Sequence, residues 1–182
     1  MVLHSPDPLE KQFLFSIPLL FLGGSFVHFV YALSGKLTAL GLFVPVNESV
    51  FEHLKLCLLP GLLWWLGSYL LHRRALFPAE WALAGLTAVL TAQLAVLMLF
   101  YTYTGMFGAH SLAADLFVFL IALCLGQGAG LLLYRRAAAL PLPLTLALTA
   151  ALFLLFALLT LFPPELPLFL DTSAGTYGFP RR

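Results

Sequence analysis

Charge is what this chain lacks. Of its 182 residues only 9% are Asp, Glu, Lys or Arg, while 62% are hydrophobic. A water-soluble domain ordinarily carries about a quarter charged residues. The formal net charge is +1 and no basic patch is present, which excludes a nucleic-acid or other polyanion-binding surface. Cysteine is almost as scarce. Cys57 and Cys124 stand in apolar helical sequence with no CxxC, so both read as small buried hydrophobes. HExxH is absent too, and Gly126-x-x-x-Gly130 in CLGQGAG is a small-residue helix contact instead of a phosphate loop.

What fills the chain is apolar sequence in stretches of roughly 20 residues, long enough to cross a hydrocarbon core of about 30 Å. The expected fold is an all-α integral membrane protein forming a single domain over residues 1–182. It is a bundle of five transmembrane helices with a re-entrant or interfacial segment in the first loop. The spans are expected at 12–33, 54–71, 80–103, 112–134 and 142–162. Ser34-Gly35-Lys36, His72-Arg73-Arg74, Gly105 with Gly108, Arg135-Arg136 and Pro163-Pro164 punctuate them. The N-terminal MVLHSPDPLEK is a poor secretory leader, and the apolar run after it is too long for a cleaved signal, so it reads as a retained first span. Trp64 and Trp65 read as packing, and Trp81 as part of an interfacial belt.

Arg73-Arg74 and Arg135-Arg136 occupy two short loops on one side, which the positive-inside rule makes cytoplasmic together with the N-terminus and Lys11. Lys36, Lys55 and Arg181-Arg182 lie opposite. The expected location is the cell inner (plasma) membrane, with the C-terminus extracytoplasmic. Whatever the orientation, five crossings put the first loop, the third loop and the tail on one side. PVNESVFEHLKL (45–56), YTYTGMFGAH (101–110) and PPELPLFLDTSAGTYGF (163–179) therefore share a face, and that face collects nearly all the chain's chemically capable side chains.

Within that set, His28 is expected about 10 Å below the boundary at Gly35, with Tyr31 on the same helix face. An ionisable group at such depth usually faces the protein interior or a wet cavity, although a neutral His28 bonded to a neighbouring helix is the plainer reading. Asp115 opens the fourth span, where it needs a partner or simply favours the helix dipole. His110 reads as a surface loop residue. Ser49-Val-Phe-Glu52 fits a capping box, and Asn47 is another cap. On a helix Glu48 and Glu52 would share one face and Ser49 and His53 the next, with Lys55 pairing with Glu52 or reaching outward. Imidazoles and carboxylates are ordinary zinc ligands. Pro60 breaks the hydrogen bonding of the second span, and Gln93 and Gln127 read as bonds between helices.

PVNESVFEHLKL together with FYTYTG at 100–105 resembles a family of small bacterial and archaeal polytopic membrane proteins, itself a domain of unknown function. The resemblance runs from VHFVYALSG in the first span to PPELPLFLDTSAGTYGF in the tail. It carries over His28, Tyr31, Asn47, Glu48, Ser49, Glu52, His53, Lys55, Tyr101, Thr104, Gly105, Asp115, Asp171, Tyr177 and Gly178. The family pattern has no histidine where His110 stands. The resemblance implies where a site lies and supplies no activity.

Three functions stay open. In a metal-dependent membrane hydrolase acting on a lipid or other amphiphile, His28, His53 and Asp115 would hold a divalent metal such as zinc. Glu48 or Glu52 would activate its water, and Tyr101 or Lys55 would stabilise developing negative charge. Ser49 joins these as a catalytic candidate, with Asn47, Tyr31, Thr104, Asp171 and Tyr177 around the pocket. A proton- or cation-coupled transporter or solute-binding subunit would use the same groups without a metal, and Pro60 would mark a broken helix. Its odd span count and missing repeat could be repaired by a homo-oligomer. A structural or assembly subunit would have these groups satisfy one another. The expected partners are the bilayer and a lipid or small-molecule substrate, with no nucleic acid.

Overall fold

The computed structural model describes residues 8–109 and 111–180; the expectations for His110, Arg181 and Arg182 lie outside them. Helix α1 (Pro8–Leu33) is followed by a short interfacial helix α2 (Thr38–Gly41) and by α3 (Val50–His53), which leads through Leu54 into α4 (Lys55–His72). Then come α5 (Pro78–Phe107), α6 (Leu112–Arg135) and α7 (Leu142–Leu161). The tail makes a turn of 3₁₀-helix at Pro167–Phe169 and a small antiparallel hairpin, β1 (Leu170–Asp171) on β2 (Thr176–Tyr177).

Five of these stretches are long and apolar enough to cross a membrane: Leu9–Leu33, Val50–His72, Pro78–Phe107, Leu112–Arg135 and Leu142–Leu161. They are apolar all round, as helices solvated by lipid must be. Leu22, Phe26, Leu66, Leu70, Met98, Leu132 and Leu154 all point outward. In water such a surface would aggregate; in hydrocarbon it is the matched solvent boundary.

Since lipid tails are as apolar as leucine, the helices associate through close packing and a few polar bonds. The tightest pair is α5 and α6. A Cβ added to Gly126 would lie 2.4 Å from Ala88 O and 2.8 Å from Ala92 Cβ, so only glycine lets the two backbones come this near. Gln93 on α5 donates to Leu54 O at 3.3 Å, and Ser16 on α1 donates to Gln127 Oε1 at 3.4 Å. Helix α7 packs on α5. Under the polar face lies a core that includes Leu20, Leu58, Val89, Phe119 and Leu123.

Several sequence expectations change. Helix α5 runs on past Tyr103 to Phe107, and the third loop shrinks accordingly. Gly108 stops the helix with φ +65°, a left-handed conformation suited to glycine, while its N–H reaches Thr104 O. Trp81, in the first turn of α5, is buried in the bundle instead of facing outward: its ring is tilted against Trp65 and edge-on to Tyr134, and Nε1 donates to Trp65 O at 2.8 Å. Cys57 is buried, but Cys124 is exposed, because a helix apolar on every side gives no sequence signal for which face turns inward. Pro60 sits inside a continuous α4.

Replacing Gly126 with leucine should separate α5 from α6. We expect a loss of about 1–3 kcal/mol, read as a lower thermal transition in detergent micelles, whereas Gly67→Leu, where an added Cβ would meet nothing within 4 Å, should change little.

Candidate functional site

The run from Pro45 to Leu56 turns its polar groups to two opposite sides, and the reason lies in where the helix begins. Ser49 is the N-cap of α3, with extended backbone and a hydroxyl that accepts from Glu52 N at 3.3 Å. Glu48 therefore precedes the helix, and the i, i+4 relation expected between Glu48 and Glu52 does not hold. Glu48 reaches outward and is exposed; Glu52 reaches inward and is buried.

The inward side is a sealed ion pair. Lys55 Nζ, 0% exposed, donates to Glu52 Oε2 at 2.8 Å and to the carbonyls of Gly41 at 2.8 Å and Val44 at 3.3 Å. Glu52 is 2% exposed. Its Oε2 also accepts from Val46 N at 3.0 Å, and its Oε1 lies 2.8 Å from the Thr160 hydroxyl of α7. The other arm of the capping box, a bond from Glu52 back to the cap, is thus replaced by a three-way junction of first loop, α4 and α7.

On the outward side three ligand atoms converge. His28 Nε2 and His53 Nε2 are 3.1 Å apart, and Glu48 Oε2 stands 3.4 Å from each. His53 Nδ1 is 2.8 Å from Ser49 O. A carbonyl can only accept, so Nδ1 carries a hydrogen, and Nε2 is the ring atom turned toward Glu48 and His28. Electron-rich atoms this close require a proton or a cation among them. The imidazoles of His28 and then His53 hold the Glu48 carboxyl well below the usual carboxylate range.

The tail fixes this loop in place. Glu48 N donates to Asp171 Oδ2 at 3.2 Å, and Asn47 Nδ2 donates to Gly178 O at 2.7 Å. Asn47 Oδ1 accepts from Ser49 N at 2.9 Å. Asp171 is buried, which by itself raises its pKa. Bonds from the Ser173 hydroxyl and from the backbone N–H groups of Glu48, Ala174 and Ser173 outweigh this and leave the carboxyl below its ordinary value. Tyr31 is buried with its ring near Phe179, and Tyr177 pairs with Leu170 in the hairpin.

Asp115 accepts a hydrogen bond from Tyr103, one turn below the end of α5, and stands close enough to His53 to interact with it electrostatically. The three-atom cluster contains Glu48 in the place where Asp115 was expected. Tyr101 is exposed against Phe100, and the Thr104 hydroxyl bonds its own helix at Phe100 O. Sequence reasoning passed over Tyr103 and Thr160. Tyr103 stands two residues from Tyr101 on the same helix, and only the helical extension of α5 shows which of the two faces Asp115. Thr160 is a polar residue near the end of a Leu- and Ala-rich span, a weak signal that a carboxylate lies nearby.

Fold and site together define a polytopic α-helical membrane protein whose first loop, tail and helix ends build a polar face with a His-Glu-His cluster. Residues 1–179 match a family described as "Family of unknown function (DUF6512)", and the chain belongs to it. No curated protein and no solved structure is significantly similar to the chain.

The buried pair generates a direct test. Lys55→Met leaves buried Glu52 without its counter-ion, and Glu52→Leu does the same to Lys55; each should cost about 3–5 kcal/mol. The double variant Glu52→Leu/Lys55→Met should recover much of that loss, as measured by unfolding in mixed micelles.

Proposed function

We propose that the protein is a membrane-embedded, metal-dependent hydrolase in which His28, Glu48 and His53 hold a divalent cation of the zinc type. One observation carries the reading. The separations of 3.1, 3.4 and 3.4 Å among the three ligand atoms are close to the edge of a tetrahedron built with bonds of 2.0–2.1 Å, about 3.3–3.4 Å. Two histidines and one carboxylate with an open fourth position form a donor set common to catalytic zinc sites. Glu48 is half-exposed, so an ion held by these residues would be reachable from the aqueous side.

The surrounding residues support the ligands. Ser49 O orients the His53 ring, and Asp171 and Gly178 hold the loop that carries Glu48. A zinc-type ion in this position would supply Lewis-acid activation of water and of a substrate carbonyl or phosphoryl group. Asp115, which accepts from Tyr103 and interacts electrostatically with His53, would be the neighbouring carboxylate suited to hold a proton beside the cluster. Glu52 and Lys55 take no part in that chemistry, being consumed in their own buried junction. Beside exposed apolar helix surfaces, the substrate class that fits is an amphiphile whose polar group lies at the membrane boundary.

Transport fits less well. One turn below His28 the bundle closes: a Cβ on Gly24 would sit 2.6 Å from the Phe119 ring and 3.1 Å from Leu56 O. Apolar side chains fill the space beneath.

Metal analysis of protein purified without chelator should give about one zinc-type ion per chain. His28→Ala, His53→Ala and Glu48→Gln should each lower affinity by tenfold or more, roughly the scale of losing support at a metal site, while Glu165→Gln on the exposed tail should not. Metal-free wild-type protein that also fails to take up added zinc would end the proposal. Protein that binds zinc yet cleaves no ester, amide or phosphodiester amphiphile would leave a metal site and remove the hydrolase.

A further inference from the structure

At the other end of the bundle α4 and α7 stand apart over α5, leaving a groove of about 430 Å³. Leu59, Leu62, Leu66 and Tyr69 of α4 form one wall, Leu142, Leu146, Thr149 and Phe153 of α7 the other, and Ala82 and Gly85 of α5 lie at the floor. Nothing in the catalytic reading uses it. From Leu59 to Tyr69 the groove extends about 15 Å at 1.5 Å per residue, half of a hydrocarbon core of about 30 Å. It is therefore one leaflet deep. At its inner end stands Phe153, whose ring centroid lies 6.1 Å from that of Phe43 in the first loop.

Its outer end is charged. Tyr69 is followed one turn later on the same stripe of α4 by Arg73, whose backbone continues the helical conformation at φ −53° and ψ −23°. Arg74 is next, and both arginines are exposed. Pro78 and Leu142, the first residues of α5 and α7, mark the same end of the groove. Glu80 follows on α5, and the turn from Arg73 to Pro78 is still net positive.

We propose that this groove holds one acyl chain of an anionic phospholipid from the leaflet on the arginine side, with its phosphate against Arg73 and Arg74. The depth matches a single leaflet, the lining matches hydrocarbon, and the cations stand where a headgroup would lie. A second copy of the chain could offer an apolar helix, but such a helix would bring no anionic group to the paired arginines at the boundary. The site is separate from the His-Glu-His cluster at the opposite end, so the bound lipid is a resident partner and not the substrate proposed above.

The test is native mass spectrometry from micelles containing equal amounts of dipalmitoyl phosphatidylglycerol and dipalmitoyl phosphatidylcholine. Wild-type protein should retain one phosphatidylglycerol in preference to phosphatidylcholine. Arg73→Gln and Arg74→Gln should each weaken the preference by roughly fivefold. Ala82→Phe, which fills the floor, should abolish retention of both lipids at an unchanged thermal transition; if that variant fails to fold, Thr149→Phe at the wall replaces it. Equal retention of the two lipids by wild type would overturn the proposal, as would retention indifferent to the filled groove. So would a lipid-free dimer that Ala82→Phe dissociates, since that result would make the occupant a second copy.

Discussion

Lys55 and Glu52 meet where neither can reach water, and that junction decides how the first third of the chain is arranged. Removing an ammonium and a carboxylate from solvent costs several kcal/mol for each ion, and mutual attraction offsets this only when the remaining donors and acceptors are also satisfied. Here those partners are the carbonyls of Gly41 and Val44, the N–H of Val46 and the hydroxyl of Thr160. All but Thr160 come from the single stretch between Gly41 and Lys55, and they can meet one another and α7 only because the first loop folds back into the bundle. A loop left in the interface would strand both charges. The pair is thus less a source of net stability than a condition that one loop conformation meets.

That conformation has an outward consequence. With Glu52 drawn inside, the N-cap at Ser49 sets the start of α3, and the residue before the cap must leave the helix. Glu48 is that residue, and it arrives beside His28 and His53. Four positions of sequence thereby separate two carboxylates of opposite character. One is neutralised by a lysine in the dry interior; the other is half-solvated and held ionised by imidazoles. The charges that act on the outer cluster are those of its own members and of Asp115.

Much of this was legible in the residues. Length and apolarity were enough to read five crossings, because a bilayer demands continuous hydrophobic helices and tolerates little else. The odd count then brings the first loop and the tail to one face, and the Asn47–Gly178 and Glu48–Asp171 bonds join the two there. The cap at Ser49 was readable from S-x-x-E. What could not be read was direction. Helical periodicity assigns Glu48 and Glu52 to one face only if both are helical, and the helix starts between them. Asp115 could be placed at a helix start, but its pairing with Tyr103 depended on how far α5 continues beyond the expected loop. Cys124 and Trp81 went astray for a related reason: lipid and protein interior are both apolar, so the pattern that separates inside from outside in a water-soluble protein is missing.

The clasp between tail and first loop also has a bearing on biogenesis. Glu48 is anchored by a residue 123 positions later, so the loop carrying it stays without that anchor until the last span and Asp171 have been synthesised. A nascent chain would then hold its two imidazoles in place on α1 and α3 while the carboxylate between them was still unconstrained. The cluster's full set of supports therefore forms only after α7 and the tail hairpin are in place.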